Sequence, residues 1–134
     1  MNYGKKNISI GLIVLASFMA YGFLLIYLRD FAPNKVEWIA SSHTGTHFES
    51  RLAHVHGNLF ALLNIVLGYL LLKLRINETS KKWISILLLV GVLMPLGIVA
   101  EFVLGAPPIF VLIGAISAVI AVAWFGVALL QNKD

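Results

Sequence analysis

The sequence predicts an all-α membrane protein, a single bundle of four transmembrane helices, and three observations carry that prediction. Hydrophobic residues fill 60% of the 134 positions and charged residues only 12%, a balance far from that of a soluble domain of this length. The apolar positions gather into four runs of about 20 residues, each long enough to cross a ~30 Å hydrocarbon core as a helix. The charges fall almost wholly between those runs. Cysteine is absent, which excludes disulfides, thiolate metal ligands and thiol nucleophiles and leaves any site to imidazole, carboxylate and amide groups. A net charge of +4 can mark a nucleic-acid binder, but here the cations are scattered at the ends of runs, where they act as topology signals. Membrane lipid is the expected partner, and nucleic acid is not.

The first span is expected at residues 8–28. Lys5 and Lys6 ahead of it resemble the start of a secretion signal, but the apolar run is longer than a signal's core and is expected to be retained. It stops at Arg29 and Asp30, ahead of Pro33. An outer loop at 29–51 follows, longer than connections without a task or structure of their own usually are. The second span is expected at 52–74, with Lys73 and Arg75 snorkelling from its far end. After a short polar turn, the third span covers 83–104, with Gly91, Pro95 and Gly97 expected to kink it and Glu101 near its end. Residues 105–108 make a tight reversal, and Pro108 suits the first turn of the fourth span, 109–130.

Four spans place both termini and the 73–82 connection on one side of the membrane. That side carries Lys5, Lys6, Lys73, Arg75, Lys81, Lys82 and Lys133, against Arg29, Lys35 and Arg51 on the other, seven cations to three. Cytoplasmic termini are therefore expected, in a bacterial inner membrane.

Candidate chemistry collects on the outer side. His43, His47, His54 and His56 are all the histidines of the chain, and they share one window with Glu49 and Arg51. Glu101, the one acidic residue inside a span, reaches the same side, and an intramembrane carboxylate is a functional hypothesis by default. On a helix advancing about 100° per residue, His54 and His56 lie about 200° apart, so only one of them can face a given small site. Asn58 shares the face of His54. Gly57, Ala61, Asn64 and Gly68 form a separate stripe suited to close helix contact, with Asn64 expected in an interhelical hydrogen bond. Gly114, Ala118, Ala121 and Phe125 form a similar stripe on span four, available to the bundle or to a homo-oligomer. Gly45 between two threonines points to a loop for 42–48.

Three readings follow. One is a haem site with a single axial histidine in an apolar crevice, its propionates anchored by Arg51 or Lys35. Another is a divalent-metal or proton-linked site built from His43, His47, Glu49, His56 and Glu101, although the spacing matches no strong zinc or di-iron pattern. The last is a structural or assembly subunit without a cofactor.

Ala53-His54 at the start of span two, the long polar connection before it and the Gly-rich four-span layout resemble styrene-oxide isomerase. That family consists of small four-helix membrane proteins that bind haem b through a histidine early in the second helix and isomerise aryl epoxides to aldehydes. The resemblance covers most of the chain in architecture and a few residues in identity. It implies a haem b cofactor with His54 as axial ligand, and with His56 as the competing ligand because His56-Gly57 also fits a histidine-near-glycine pattern. Asn58 and Arg51 would then lie beside the cofactor, and a small apolar molecule would be the substrate. Three departures stand beside it. Phe60 stands where the family has an asparagine after the ligand, residues 90–99 are wholly apolar where the family brings polar groups and a tyrosine to the haem, and the 105–108 connection is shorter. Fold and haem binding carry over from the resemblance; the departures weigh against carrying over epoxide isomerisation.

Overall fold

The computed structural model describes residues 2–131; Lys133, counted above among the cations of the terminal side, lies outside them. The described residues form six helices and no strand: α1 Tyr3–Asp30, α2 Lys35–Ala40, α3 Gly45–Lys73, α4 Glu78–Gly91, α5 Leu93–Leu104 and α6 Ile109–Gln131. Helices α1, α3, the α4–α5 pair and α6 are each long and apolar enough to span a membrane. The protein is an all-α, four-span membrane bundle.

Helix α1 begins five residues ahead of the expected apolar run, because the run marks the hydrocarbon and not the helix. The Asn2 side chain accepts a hydrogen bond from the Lys5 N–H at 3.3 Å and caps the first turn. Only Gly4, Asn7, Gly11 and Phe18 are buried along α1. These residues recur at helical spacing and form one line that faces α3. A Cβ at Gly4 would strike the Gly68 carbonyl, one at Gly11 the Ala61 carbonyl, and one at Gly57 the Phe18 ring. The stripe foreseen at Gly57, Ala61, Asn64 and Gly68 therefore serves α1–α3 packing, with small residues letting two antiparallel backbones close up.

The stripe on span four is also spent inside the bundle. Gly114, Ala118, Ala121 and Phe125 are buried, with Gly114 against the Met94 backbone and Ala118 against Gly91. Helix α6 packs on α4 and α5, and α3 on α5. An α1–α3 pair thus joins an α4–α6 layer. An apolar core of Leu71, Ile84, Leu88, Ala121 and Phe125 lies toward the end of the bundle where α3 passes into α4.

The expected bend in span three is a break. Pro95 has no N–H for the Gly91 carbonyl, and the Val92 N–H bonds the Leu89 carbonyl at 3.2 Å. The Leu88 carbonyl is taken by Asn64 Nδ2 at 2.9 Å, which also donates to the Phe60 carbonyl at 3.0 Å. Asn64 Oδ1 accepts from Asn7 Nδ2 at 2.8 Å. Asn7 Nδ2 also reaches the Ser85 carbonyl at 3.1 Å, and the Ser85 hydroxyl donates to Asn7 Oδ1. Asn64 makes the interhelical bonds expected of it; Asn7, its side-chain partner, and Ser85, which bonds to Asn7, carried no signal in the apolar pattern.

The connection between the first two spans corrects the expected 29–51 loop. It holds helix α2, and α3 starts at Gly45, seven residues before the predicted start of span two. Gly45 adopts φ +55 after an extended Thr44, so it supplies the left-handed residue that turns the chain into α3. The glycine is a helix entrance, not a sign of loop. His47 and Glu49 consequently sit on the helix that carries His54 and His56.

Candidate functional site

Extending α3 to Gly45 places His47, Arg51, His54 and Asn58 in one column, at the 4-3-4 spacing of a single helix face. All four line a cleft of ≈730 Å³ between α1 and α3, within the size range of small-molecule and cofactor sites. The α1 wall comprises Met19, Gly22, Phe23, Leu25, Ile26 and Arg29; Trp38 and Ile39 of α2, with Ser42, close the end next to the α1–α3 connection. Met19, Phe23 and Ile26 are 59%, 72% and 44% exposed, so the cleft opens sideways along a lipid-facing edge.

His54 sits deep in the column. Its imidazole makes no hydrogen bond among the described residues; its ring neighbour is Tyr21, with centroids 6.2 Å apart and planes inclined by 55°. Its Nε2 end rests over Gly22, where a Cβ would come within 2.8 Å. Asn58 Nδ2 donates to the His54 carbonyl at 2.9 Å, and Asn58 Oδ1 is buried without a donor. Such an orphaned acceptor is costly.

His47 lies at the α2 end of the cleft. Its ring stacks on Trp38 with centroids 4.1 Å apart and planes 14° from parallel. Nδ1 donates to the Trp38 carbonyl, which also accepts the Ser41 hydroxyl at 3.0 Å. Because a carbonyl can only accept, Nδ1 carries a proton. Arg51 Nη1 donates to the Ser42 carbonyl at 3.3 Å. Arg29 pairs with Asp30 through two bonds of 2.9 and 2.7 Å. Two guanidinium groups, of Arg29 and Arg51, thus border the cleft.

Helical phase separates the other candidates from this site. His56 lies on the far flank of α3, its Nδ1 donating to the Leu52 carbonyl at 2.9 Å and its ring 6.5 Å from that of Phe60. Glu49, seven residues earlier, shares that flank. His43 is exposed and borders a smaller hollow of ≈220 Å³ with Phe48, Leu52 and Val55. Glu101 is half-buried on α5 and makes no ion pair or side-chain hydrogen bond among the described residues. No three of the His, Asp and Glu side chains among the described residues gather closely enough to hold a metal ion. The set His43, His47, Glu49, His56 and Glu101 is therefore dispersed, with His47 turned into the cleft and Glu49 and His56 turned out of it.

Lys35, expected as a propionate anchor, reaches the Asp30 carbonyl at 3.5 Å and stays off the cleft. Arg29 borders the cleft instead. The sequence carried the signal: Arg29 lies seven residues after Gly22 and so repeats its face of α1. Trp38 was legible only as an aromatic in a loop, since nothing in the pattern showed α2 folding back over α3.

No protein-family model, curated protein or solved structure matches the chain.

Proposed function

We propose that this is an integral membrane protein that binds haem b in the α1–α3 cleft, with His54 as the axial ligand. The observation that carries the reading is an imidazole without a hydrogen-bond partner, set in a largely apolar cleft with Arg29 and Arg51 at its polar end. Haem asks for those three things: a nitrogen donor for the iron, apolar side chains against the ring, and cations for two propionates. Met19, Phe23, Ile26 and Trp38 offer the apolar contacts; Arg51 offers its guanidinium to a carboxylate, and Arg29, already paired with Asp30, offers its remaining donors. When bound, haem iron supplies a Lewis-acidic, redox-active centre to which an oxygen or nitrogen ligand can bind. The chain's own contribution is to present the imidazole, hold the acid groups at the membrane surface and exclude water from the apolar interior. The excess of cations on the terminal side supports cytoplasmic termini in a bacterial inner membrane, with the cleft on the outer half.

A second ligand assignment has a specific observation behind it. The Nδ1–H bond from His56 to the Leu52 carbonyl fixes the tautomer with a free Nε2 lone pair, the orientation common to metal-ligating histidines. His56 faces away from the cleft, so this assignment places the cofactor on the other flank of α3.

The absorption spectrum of detergent-purified protein, supplemented with haem during expression, tests both. A Soret band that disappears in His54→Ala and persists in His56→Ala is the expected result. The reverse pattern moves the ligand to His56, and a protein without a Soret band removes haem from consideration.

A further inference from the structure

We propose that Gly22 is a positioning residue of the cleft: it gives the His54 imidazole a seat against α1, and a ligand that bonds to this ring draws it from the seat into the cleft. The second half rests on the haem reading; the seat itself stands on geometry alone. A methyl group built at Gly22 would lie 2.8 Å from Nε2, 3.5 Å from Cε1 and 3.6 Å from Cδ2. Its three nearest neighbours all belong to one ring, and the first is well inside the optimum of about 3.5–4.0 Å for non-bonded heavy atoms. The tip of the imidazole occupies the space that any other residue at position 22 would fill.

The remaining glycines at the α1–α3 contact differ in kind. At Gly4, Gly11 and Gly68 the same methyl would meet backbone atoms of the facing helix, and at Gly57 it would enter the Phe18 ring. Those glycines set the distance between helices. Gly22 accommodates the end of a side chain, and that side chain can move.

Three facts make the seat reversible. The ring has no hydrogen bond to break among the described residues. Gly22 and His54 both border the same ≈730 Å³ cleft, so the ring has space to turn into. Turning exchanges one staggered side-chain rotamer for another. An iron ion bonds to a nitrogen lone pair, and the seated ring holds Nε2 against α1. Ligand bonding and seating therefore compete, and the seated fraction lowers the apparent affinity in proportion.

The test uses full-length protein in detergent, wild type and Gly22→Ala. Without haem, brief treatment with diethyl pyrocarbonate followed by peptide mass spectrometry reads His54, with His43 and His56 as internal references. Gly22→Ala is expected to fold, since only a movable ring meets the new methyl, and to raise His54 modification several-fold while His43 and His56 stay unchanged. A haem titration of the same two proteins is expected to show several-fold tighter binding by Gly22→Ala. An unchanged His54 rate, or a Gly22→Ala protein that fails to fold, overturns the seat. Equal or weaker haem binding by Gly22→Ala overturns the withdrawal of the ring by ligand. If wild type takes up no haem, the haem reading falls by itself and the modification rates still decide the seat.

Discussion

Asn64 ties three helices together with one amide. Its Oδ1 accepts a hydrogen bond from Asn7 on α1 and its Nδ2 donates to the carbonyls of Phe60 and Leu88, and it is almost fully buried. In hydrocarbon none of these groups has water to fall back on, so loss of the amide leaves acceptors unpaired. Asn64→Leu is expected to destabilise the bundle by about 1–3 kcal/mol, read as a lower unfolding midpoint by circular dichroism in detergent. Ser17→Ala is the control, because the Ser17 hydroxyl bonds only to the Ile13 carbonyl of its own helix, and it should leave the midpoint nearly unchanged. Asn64 was legible as a polar residue on a small-residue stripe. Asn7 was not: it precedes the apolar run, and only the three-dimensional overlap of α1 with α3 and α4 makes it interior.

At the scale of the element, the entrance of α3 decides which side chains meet. With Gly45 left-handed, the helix starts early enough for His47 to stack on Trp38 and share a face with His54. A Cβ at this position costs about 1–2 kcal/mol in the left-handed conformation. Gly45→Ala should therefore loosen α2 from α3 while leaving the spans intact. The check is a red-shifted Trp38 emission in a protein whose Trp83 and Trp124 are replaced by Phe, with an unchanged helical dichroism. Periodicity made the four apolar helices readable, and helical phase alone separated His54 from His56. It failed at 42–48 because a glycine reads the same in a loop and at the first residue of a helix. The error had a cost: the column His47, Arg51, His54, Asn58 is a plain 4-3-4 pattern once the helix is extended, and it is invisible when His47 is assigned to a loop. Pro95 and Gly91 were more readable, since a missing N–H inside a span has few outcomes.

At the scale of the whole molecule, topology sets which aqueous side the cleft borders. The natural lack of cysteine makes the chain a ready background for single-cysteine labelling. With cytoplasmic termini, Ser42→Cys should react with a membrane-impermeant maleimide added to intact cells, and Thr79→Cys only after permeabilisation. The opposite pattern would invert the bundle and place Arg29 and Arg51 at the cytoplasmic surface. The two layers differ in what they hold. Helices α1 and α3 and the connection between them carry every lining residue of the cleft, whereas α4–α6 supplies most of the core around Ile84, Leu88 and Phe125.

That division has a meaning in time. Every lining residue of the cleft falls between Met19 and Asn58, in the part of the bundle made before α4 to α6. The Gly4–Gly68 and Gly11–Ala61 approaches need no later residue, so the first hairpin can close, and Asn7 can find Asn64, while α4 to α6 are still being made. Chains shape domains in order of synthesis; here the pocket precedes the half of the protein that buries its Asn pair. Ser85 and the freed Leu88 carbonyl, both on α4, complete the hydrogen bonding of that pair.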